Sequence, residues 1–106
     1  MVNLAQLLRK AKNVEDRARI LKKELSPKKN DIEKFNNGLI LDINEHEGLK
    51  IGDKVMYING FGKYVEGYIS HFFTRDSQTI TPAIIPIDGF GYSTHNGKGL
   101  PQKLLE

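Results

Sequence analysis

The sequence predicts an α+β fold: an N-terminal helical arm, followed by a small antiparallel β-barrel or curled sheet. Two observations support this prediction. Apolar residues recur every three or four positions from residue 3 to residue 25, which is the period of a helix. From residue 39 the apolar residues follow the pattern of short strands, and glycine-rich turns separate them. We therefore expect a helical arm over residues 1–37 and a β-domain over residues 38–106.

Length and composition are those of one small domain with an appendage. The 106 residues include no cysteine, so disulfides and thiolate chemistry are excluded. No apolar run approaches the roughly 20 residues of a membrane span, and the N-terminus does not resemble a signal peptide. These features favour a soluble, cytoplasmic protein that does not enter a membrane.

The basic character of the chain belongs to the arm. The net charge is +3, but residues 1–35 hold ten Lys and Arg against five Asp and Glu, whereas residues 36–106 hold six against eight. A basic helix attracts nucleic acid or an acidic partner, and a solvated face of mixed charges is the simpler interpretation. If nucleic acid binds, the residues expected to contact it are Lys10, Arg17, Lys22, Lys28 and Lys29.

Two helices are predicted in the arm, a long one over residues 3–25 and a short one over residues 27–36. The long helix carries a heptad pattern, as in a coiled coil, at Leu4, Leu7, Ala11, Val14, Ala18, Leu21 and Leu25. This apolar seam must pack on the β-domain, on a second helix of the chain, or on another subunit. Formation of a homo-oligomer through residues 4–25 is therefore one of three alternatives.

Four strands are predicted in the β-domain, over residues 39–43, 54–58, 63–73 and 79–87. Asn59-Gly60 predicts a hairpin between the second and third strands, because a tight turn needs positive φ angles that these residues tolerate. Pro82 and Pro86 lack N–H donors, which predicts an edge or bulged position for the fourth strand.

Two short patterns lie within residues 49–69. L-x-x-G-D-x-V is followed by G-x-x-V-E-G, and the residues that form these patterns are Leu49, Gly52, Asp53, Val55, Gly62, Val65, Glu66 and Gly67. With them the segment resembles the SH3-like small barrels of the Tudor or KOW type. Such barrels bind nucleic acid, modified tails or protein segments, so the resemblance implies a binding module but does not fix its ligand.

One pentapeptide occurs twice in the β-domain. I-N-G-F-G at residues 58–62 returns as I-D-G-F-G at residues 87–91, and both copies follow a predicted strand. The simpler interpretation is two similar hairpin turns. The functional interpretation is a shared cleft at one rim of the sheet, where aromatic rings stack on a ligand. The residues expected to line that cleft are Phe61, Tyr64, Phe90, Tyr92 and His95.

Motifs for catalysis, metals and cofactors fail on their spacing. Residues 91–98 resemble a phosphate-binding loop, but they have one residue too many between the glycines. The three histidines are isolated in the sequence and lack zinc-ligand spacing. Asp88, Ser93 and His95 have the residue types of a hydrolytic triad, but residues so close on one flexible loop rarely adopt its geometry. We therefore expect no enzymatic activity, no cofactor and no metal.

The sequence thus predicts a non-enzymatic binding module whose arm mediates assembly. Nucleic acid is the first expected partner, because of the basic arm, the aromatic turns and the barrel pattern. Two alternatives stay open. One is an oligomeric binder of a small anionic ligand, such as a nucleotide, held by the paired turns. The other is a protein-interaction adaptor, or an inhibitor, of a larger machine.

Overall fold

The structure is a computed structural model that describes residues 4–25, 32, 37–88 and 91–105. The described residues include two helices followed by antiparallel sheets, which confirms the α+β prediction. The elements are α1 (Leu4–Lys10), α2 (Val14–Leu25), β1 (Leu39–Leu41), β2 (Glu45–His46), β3 (Leu49–Lys50), β4 (Lys54–Ile58), β5 (Tyr64–Thr74), β6 (Thr81–Pro86) and β7 (Gln102–Lys103). Neither α1 nor α2 is long and apolar enough to cross a membrane.

The predicted single helix over residues 3–25 is wrong, because two helices with a break between them occupy this stretch. The Asn13 side chain accepts a hydrogen bond from the N–H of Asp16 at 2.9 Å and so caps α2. The N–H of Ala11 donates a hydrogen bond to the carbonyl of Leu8 at 3.2 Å. This bond spans three residues, as in a 3₁₀ turn, instead of the four of an α-helix. The heptad pattern is therefore divided between two helices. The short helix predicted to follow lies outside the described residues except for one buried position, Ile32.

Both helices pack on one face of the main sheet. A buried apolar cluster joins helices and sheet through Ala5, Leu8, Leu21, Tyr68 and Ile85. Leu21, which belongs to the predicted heptad seam, is fully buried in this cluster. The sheet is therefore one packing partner of the heptad seam. Assembly of subunits through residues 4–25 stays a prediction, and so does the division of the chain into an arm and a β-domain at residue 38.

β5 is the central strand of the main sheet. One edge of β5 pairs with β4 near its start and with β1 near its end, and the other edge pairs with β6. β7 adds to β4, and β2 and β3 form a separate two-stranded ladder. The ladders of the described residues give the open order β1-β5-β4-β7 with β6 on β5, so closure into a barrel is not confirmed.

The second face of the sheet carries its own core, formed by Leu49, Val55, Tyr57, Ile69, Phe72 and Ile84. Two glycines of the SH3-like pattern allow close packing, one of them beside this core and the other against α2. A Cβ on Gly67 would lie 2.5 Å from Cγ2 of Ile84, so β6 approaches β5 too closely there for a side chain. Gly52 has a φ of +96°, and a Cβ would lie 2.7 Å from the carbonyl oxygen of Val14 in α2. These contacts give the pattern a physical reason, and the family resemblance stays a prediction.

The turn between β4 and β5 differs from the predicted one. Asn59 and Lys63 close it, since the N–H of Asn59 donates to the carbonyl of Lys63 at 2.9 Å. Positive φ occurs at Gly62 (+78°) rather than at Asn59-Gly60, which is typical of a three-residue hairpin loop. The Asn59 side chain instead accepts hydrogen bonds from the N–H groups of Phe61 and Lys63, at 2.9 and 3.0 Å. The asparagine thus shapes the loop through its side chain.

Candidate functional site

A cleft opens at the rim of the sheet between the turns that follow β4 and β6. Both strands run antiparallel to β5, so they point the same way and end at the same rim. The predicted approach of the two turns is therefore confirmed for their described parts. This rim cleft has a volume of about 560 Å³, and its lining residues are Tyr57, Asn59, Gly60, Phe61, Val65, Glu66, Pro86, Ile87, Asp88 and Ser93.

The inner part of the rim cleft presents a neutral polar pair. Tyr57 is buried, and burial raises the pKa of its hydroxyl, while a hydrogen bond with the Ser93 side chain lowers it to a smaller extent. The backbone of Ser93 exchanges two hydrogen bonds with Ile84 of β6, at 2.7 and 2.8 Å. The strand pairing therefore fixes the serine beside the tyrosine, and neither group carries a charge near neutral pH.

The outer edge of the rim cleft presents an aromatic ring. The Phe61 side chain is 91% exposed, so it does not plug the end of the sheet. Its backbone is held by the Asn59 side chain described above, and the positive φ of Gly62 turns the chain back into β5. An exposed phenylalanine on a fixed turn offers apolar area to a partner at little ordering cost.

Two carboxylates, Glu66 and Asp88, give the rim cleft its charge, and no Lys, Arg or His occurs among its described lining residues. Each carboxylate contacts one cation from outside the lining. Lys54 Nζ lies 3.4 Å from Glu66 Oε1, and Arg9 Nη1 lies 3.3 Å from Asp88 Oδ1. Both ion pairs reach solvent, and the Asp88 side chain is 85% exposed, so we expect each pair to contribute little to stability.

Comparisons of the chain with protein-family models, with curated proteins and with solved structures find no match. Within the described part of the chain, no cluster of three or more His, Asp or Glu residues could hold a metal ion. The function of the rim cleft must therefore be inferred from its own geometry and charge.

The structure describes four of the five residues predicted to bind a ligand, and it places these four apart. Phe61 lines the rim cleft. Tyr64 is 70% exposed on the same hairpin but does not line the cleft. Tyr92 is half-buried and packs against the apolar cluster beneath the helices. Phe90 lies outside the described residues, and His95 lines another cleft.

This second cleft has a volume of about 580 Å³, and its lining residues are His46, Glu47, Gln78, Thr79, Ile80, Thr81, Pro82, His95, Gly99, Leu100 and Pro101. In it, His95 Nδ1 accepts a hydrogen bond from the N–H of Ile58 at 3.1 Å, and the carbonyl of Ile58 accepts one from Asn96 at 2.9 Å. The histidine thus continues the pairing of β4. The three residue types of a hydrolytic triad are divided, since Ser93 and Asp88 line the rim cleft.

Several cleft residues were not predicted from the sequence. Asp88 and Ile87 belong to the repeated pentapeptide, so attention to its first two positions as well as its phenylalanine would have identified them. In the sequence, Glu66 is recognisable only as part of the SH3-like pattern. Tyr57 and Ser93 meet through strand pairing across a long sequence separation, and no local signal indicates this contact.

Three of the five cations predicted to contact nucleic acid are among the described residues, and two of these three are exposed. Lys10 and Lys22 are exposed on α1 and α2. Arg17 is buried, so its prediction as a nucleic-acid contact is wrong. Its Nε donates a hydrogen bond to the carbonyl of Gly52, and its guanidinium carbon lies 5.0 Å from the centre of the Tyr68 ring. The close approach of the glycine to α2 explains this burial. Outside the described residues lie Lys28 and Lys29.

Proposed function

We propose that the protein is a non-enzymatic adaptor that binds a segment of another protein in the rim cleft. The observation that supports this most is the combination of an exposed aromatic ring with two carboxylates and no described cation in the lining. The volume of about 560 Å³ lies within the roughly 300–1,000 Å³ of small-ligand sites. A cleft of this size takes a few side chains of a peptide.

The charge of the rim cleft disfavours the two anionic alternatives at this site. The rim cleft offers a phosphate of a nucleic acid or a nucleotide no cation of its own, because its charged lining residues are Glu66 and Asp88, and the cations beside them are already paired with these carboxylates. The walls, in contrast, suit an apolar side chain, because Val65, Pro86 and Ile87 form much of them. Exposed aromatic residues such as Phe61 are enriched at the centres of protein interfaces. A protein segment satisfies all of these features together.

Two exposed aromatic residues on one hairpin provide a matched test. Random 12-residue peptides displayed on phage are selected on the full chain, and the enriched peptides are then titrated against Phe61→Ala and Tyr64→Ala. Phe61→Ala should weaken binding by about 1–3 kcal/mol, because it removes the aromatic contact at the cleft. Tyr64→Ala should leave the affinity within about 0.5 kcal/mol, because that ring does not line the cleft. Equal affinity for all three proteins, or no enriched sequence, would contradict the proposal.

A second candidate function is attraction of nucleic acid to the arm, which the exposed cations of α1 favour. Gln6, Arg9 and Lys10 line a shallow depression of about 430 Å³. Binding of a short DNA or RNA should weaken steeply as salt rises, because released counterions drive such binding. Charge reversal of both Lys10 and Lys22 should flatten the salt dependence, and Glu15→Lys should steepen it. No binding at low salt would remove this candidate.

A further inference from the structure

The ion pairs at the rim cleft indicate what kind of segment it binds. Arg9 of α1 already places a guanidinium at the cleft, with Nη1 3.3 Å from Asp88 Oδ1. The contact joins residues 79 positions apart in the chain, so the fold brings a cationic group to this wall. Asp88 remains 85% exposed despite the contact, which leaves most of the carboxylate accessible.

The second carboxylate shows the same arrangement on a neighbouring strand. Glu66 Oε1 contacts Lys54 Nζ at 3.4 Å across the β4–β5 ladder, with side chains 46% and 32% exposed. Exposed pairs of this kind contribute little to stability, because water solvates both charges and the long side chains lose freedom. A competing cation can therefore replace either partner at little cost, and it gains the apolar contacts of the cleft as well.

We propose that the segment bound in the rim cleft carries an arginine or lysine side chain that takes the place of Arg9 on Asp88. This inference rests on the proposed function and adds the chemistry of the partner. Arg9 is then an internal competitor: it occupies the carboxylate while the cleft is empty and leaves it when the partner binds. Binding is thereby coupled to release of the contact between α1 and the turn after β6.

A matched pair of arginines tests this exchange. Arg9→Ala and Arg19→Ala remove the same charge from the chain, but Arg19 pairs with Asp16 at 3.1 Å on α2 and does not contact the cleft. Because each substitution lowers the net charge of the chain by one, both variants should attract a cationic peptide slightly more than the wild type does. Only Arg9→Ala also removes the competitor, so it should tighten binding by about two- to fivefold more than Arg19→Ala does. Asp88→Asn should weaken binding by about three- to tenfold.

The probe is a capped hexapeptide of alternating arginine and valine, with an alternating glutamine and valine peptide as its neutral control. Titration into the ¹⁵N-labelled full chain, followed by backbone amide shifts, gives both the affinity and the site. The same spectra verify that each variant is folded, which we expect because both Arg9 and Asp88 are exposed.

The expected result is shifts at the rim cleft, tighter binding of the arginine peptide than of the neutral one, and the stated order of variants. Equal affinity of the neutral peptide at the cleft would overturn the cationic partner while leaving the adaptor function intact. Equal effects of Arg9→Ala and Arg19→Ala would overturn the exchange. If neither the hexapeptides nor the display-selected peptides bind the wild-type chain at the rim cleft, the adaptor function itself is overturned.

Discussion

Acid should destabilise this protein through one buried histidine. His71 is 3% exposed in β5, its ring lies 5.5 Å from that of Tyr92, and its Nδ1 lies 2.9 Å from the hydroxyl of Ser70. Burial lowers the pKa of His71 from 6.5 to about 4. The unfolded chain therefore takes up this proton near pH 6.5, while the folded chain does so only near pH 4.

The sign and the size of the effect follow from this difference. The stability conferred by neutral His71 is fully present above about pH 6.5 and is lost as the pH falls towards 4. A pKa difference of about 2.5 units, at about 1.4 kcal/mol each, corresponds to a total loss of about 3.5 kcal/mol, of which about 3 kcal/mol is lost by pH 4, where the folded histidine is half protonated. That is a large share of the roughly 5–15 kcal/mol by which small domains are stable.

Urea denaturation followed by circular dichroism at several pH values between 7 and 4 measures this loss. His71→Gln cannot take up the proton, so its free energy of unfolding should fall by about 3 kcal/mol less than that of the wild type. His46→Gln is the matched control, since His46 is only half-buried. Carboxylates titrate alike in all three proteins and cancel in the comparison. Parallel losses for the wild type and His71→Gln would refute this reasoning.

Three further predictions concern packing, capping and a turn. Leu21→Ala should lower the free energy of unfolding, measured by urea titration, by about 2–5 kcal/mol, because it opens a cavity in a fully buried cluster. Leu39→Ala is the control: its side chain is 62% exposed, so the free energy of unfolding should change by less than about 0.5 kcal/mol. Asn13→Ala should cost about 1 kcal/mol by removing the cap of α2, and unchanged helicity by circular dichroism would count against that role. The pKa of Asp76 is lowered to about 2, mainly by backbone N–H donors within its turn. The stability it confers should therefore be lost as the pH falls from about 4 to 2, and Asp76→Asn should lack that loss.

The fold class was predictable because local patterns and long-range pairing agree over most of the sheet. The second predicted strand, residues 54–58, has the bounds of β4, since alternating apolar residues end at a strong turn signal. β2, β3 and β7 were not predicted, because two-residue strands are defined by their partners rather than by their own pattern. The helix break was missed because the heptad spacing outweighed Asn13, whose capping role depends on the backbone around it.

The candidate site was predictable in its location and only partly in its residues. The repeated pentapeptide placed both turns at one rim, which the strand directions confirm for the described residues. The charge of Arg17 alone predicts a place on the basic surface of the arm. A charged side chain can also pack beneath its own helix when a carbonyl and an aromatic ring lie nearby, as they do for Arg17. Such partners lie far away in sequence. That Glu66 and Asp88 line one cleft likewise emerges only from the fold, because the two residues lie far apart in the sequence.

Amide shift mapping with a display-selected peptide tests the central claim most directly. The labelled full chain is titrated with that peptide, and the perturbed amides are located on the structure. Binding in the rim cleft predicts the largest shifts at residues 59–61, at Glu66 and at residues 87–88. Largest shifts around Lys10 and Lys22, or around the second cleft at His46 and His95, would contradict it.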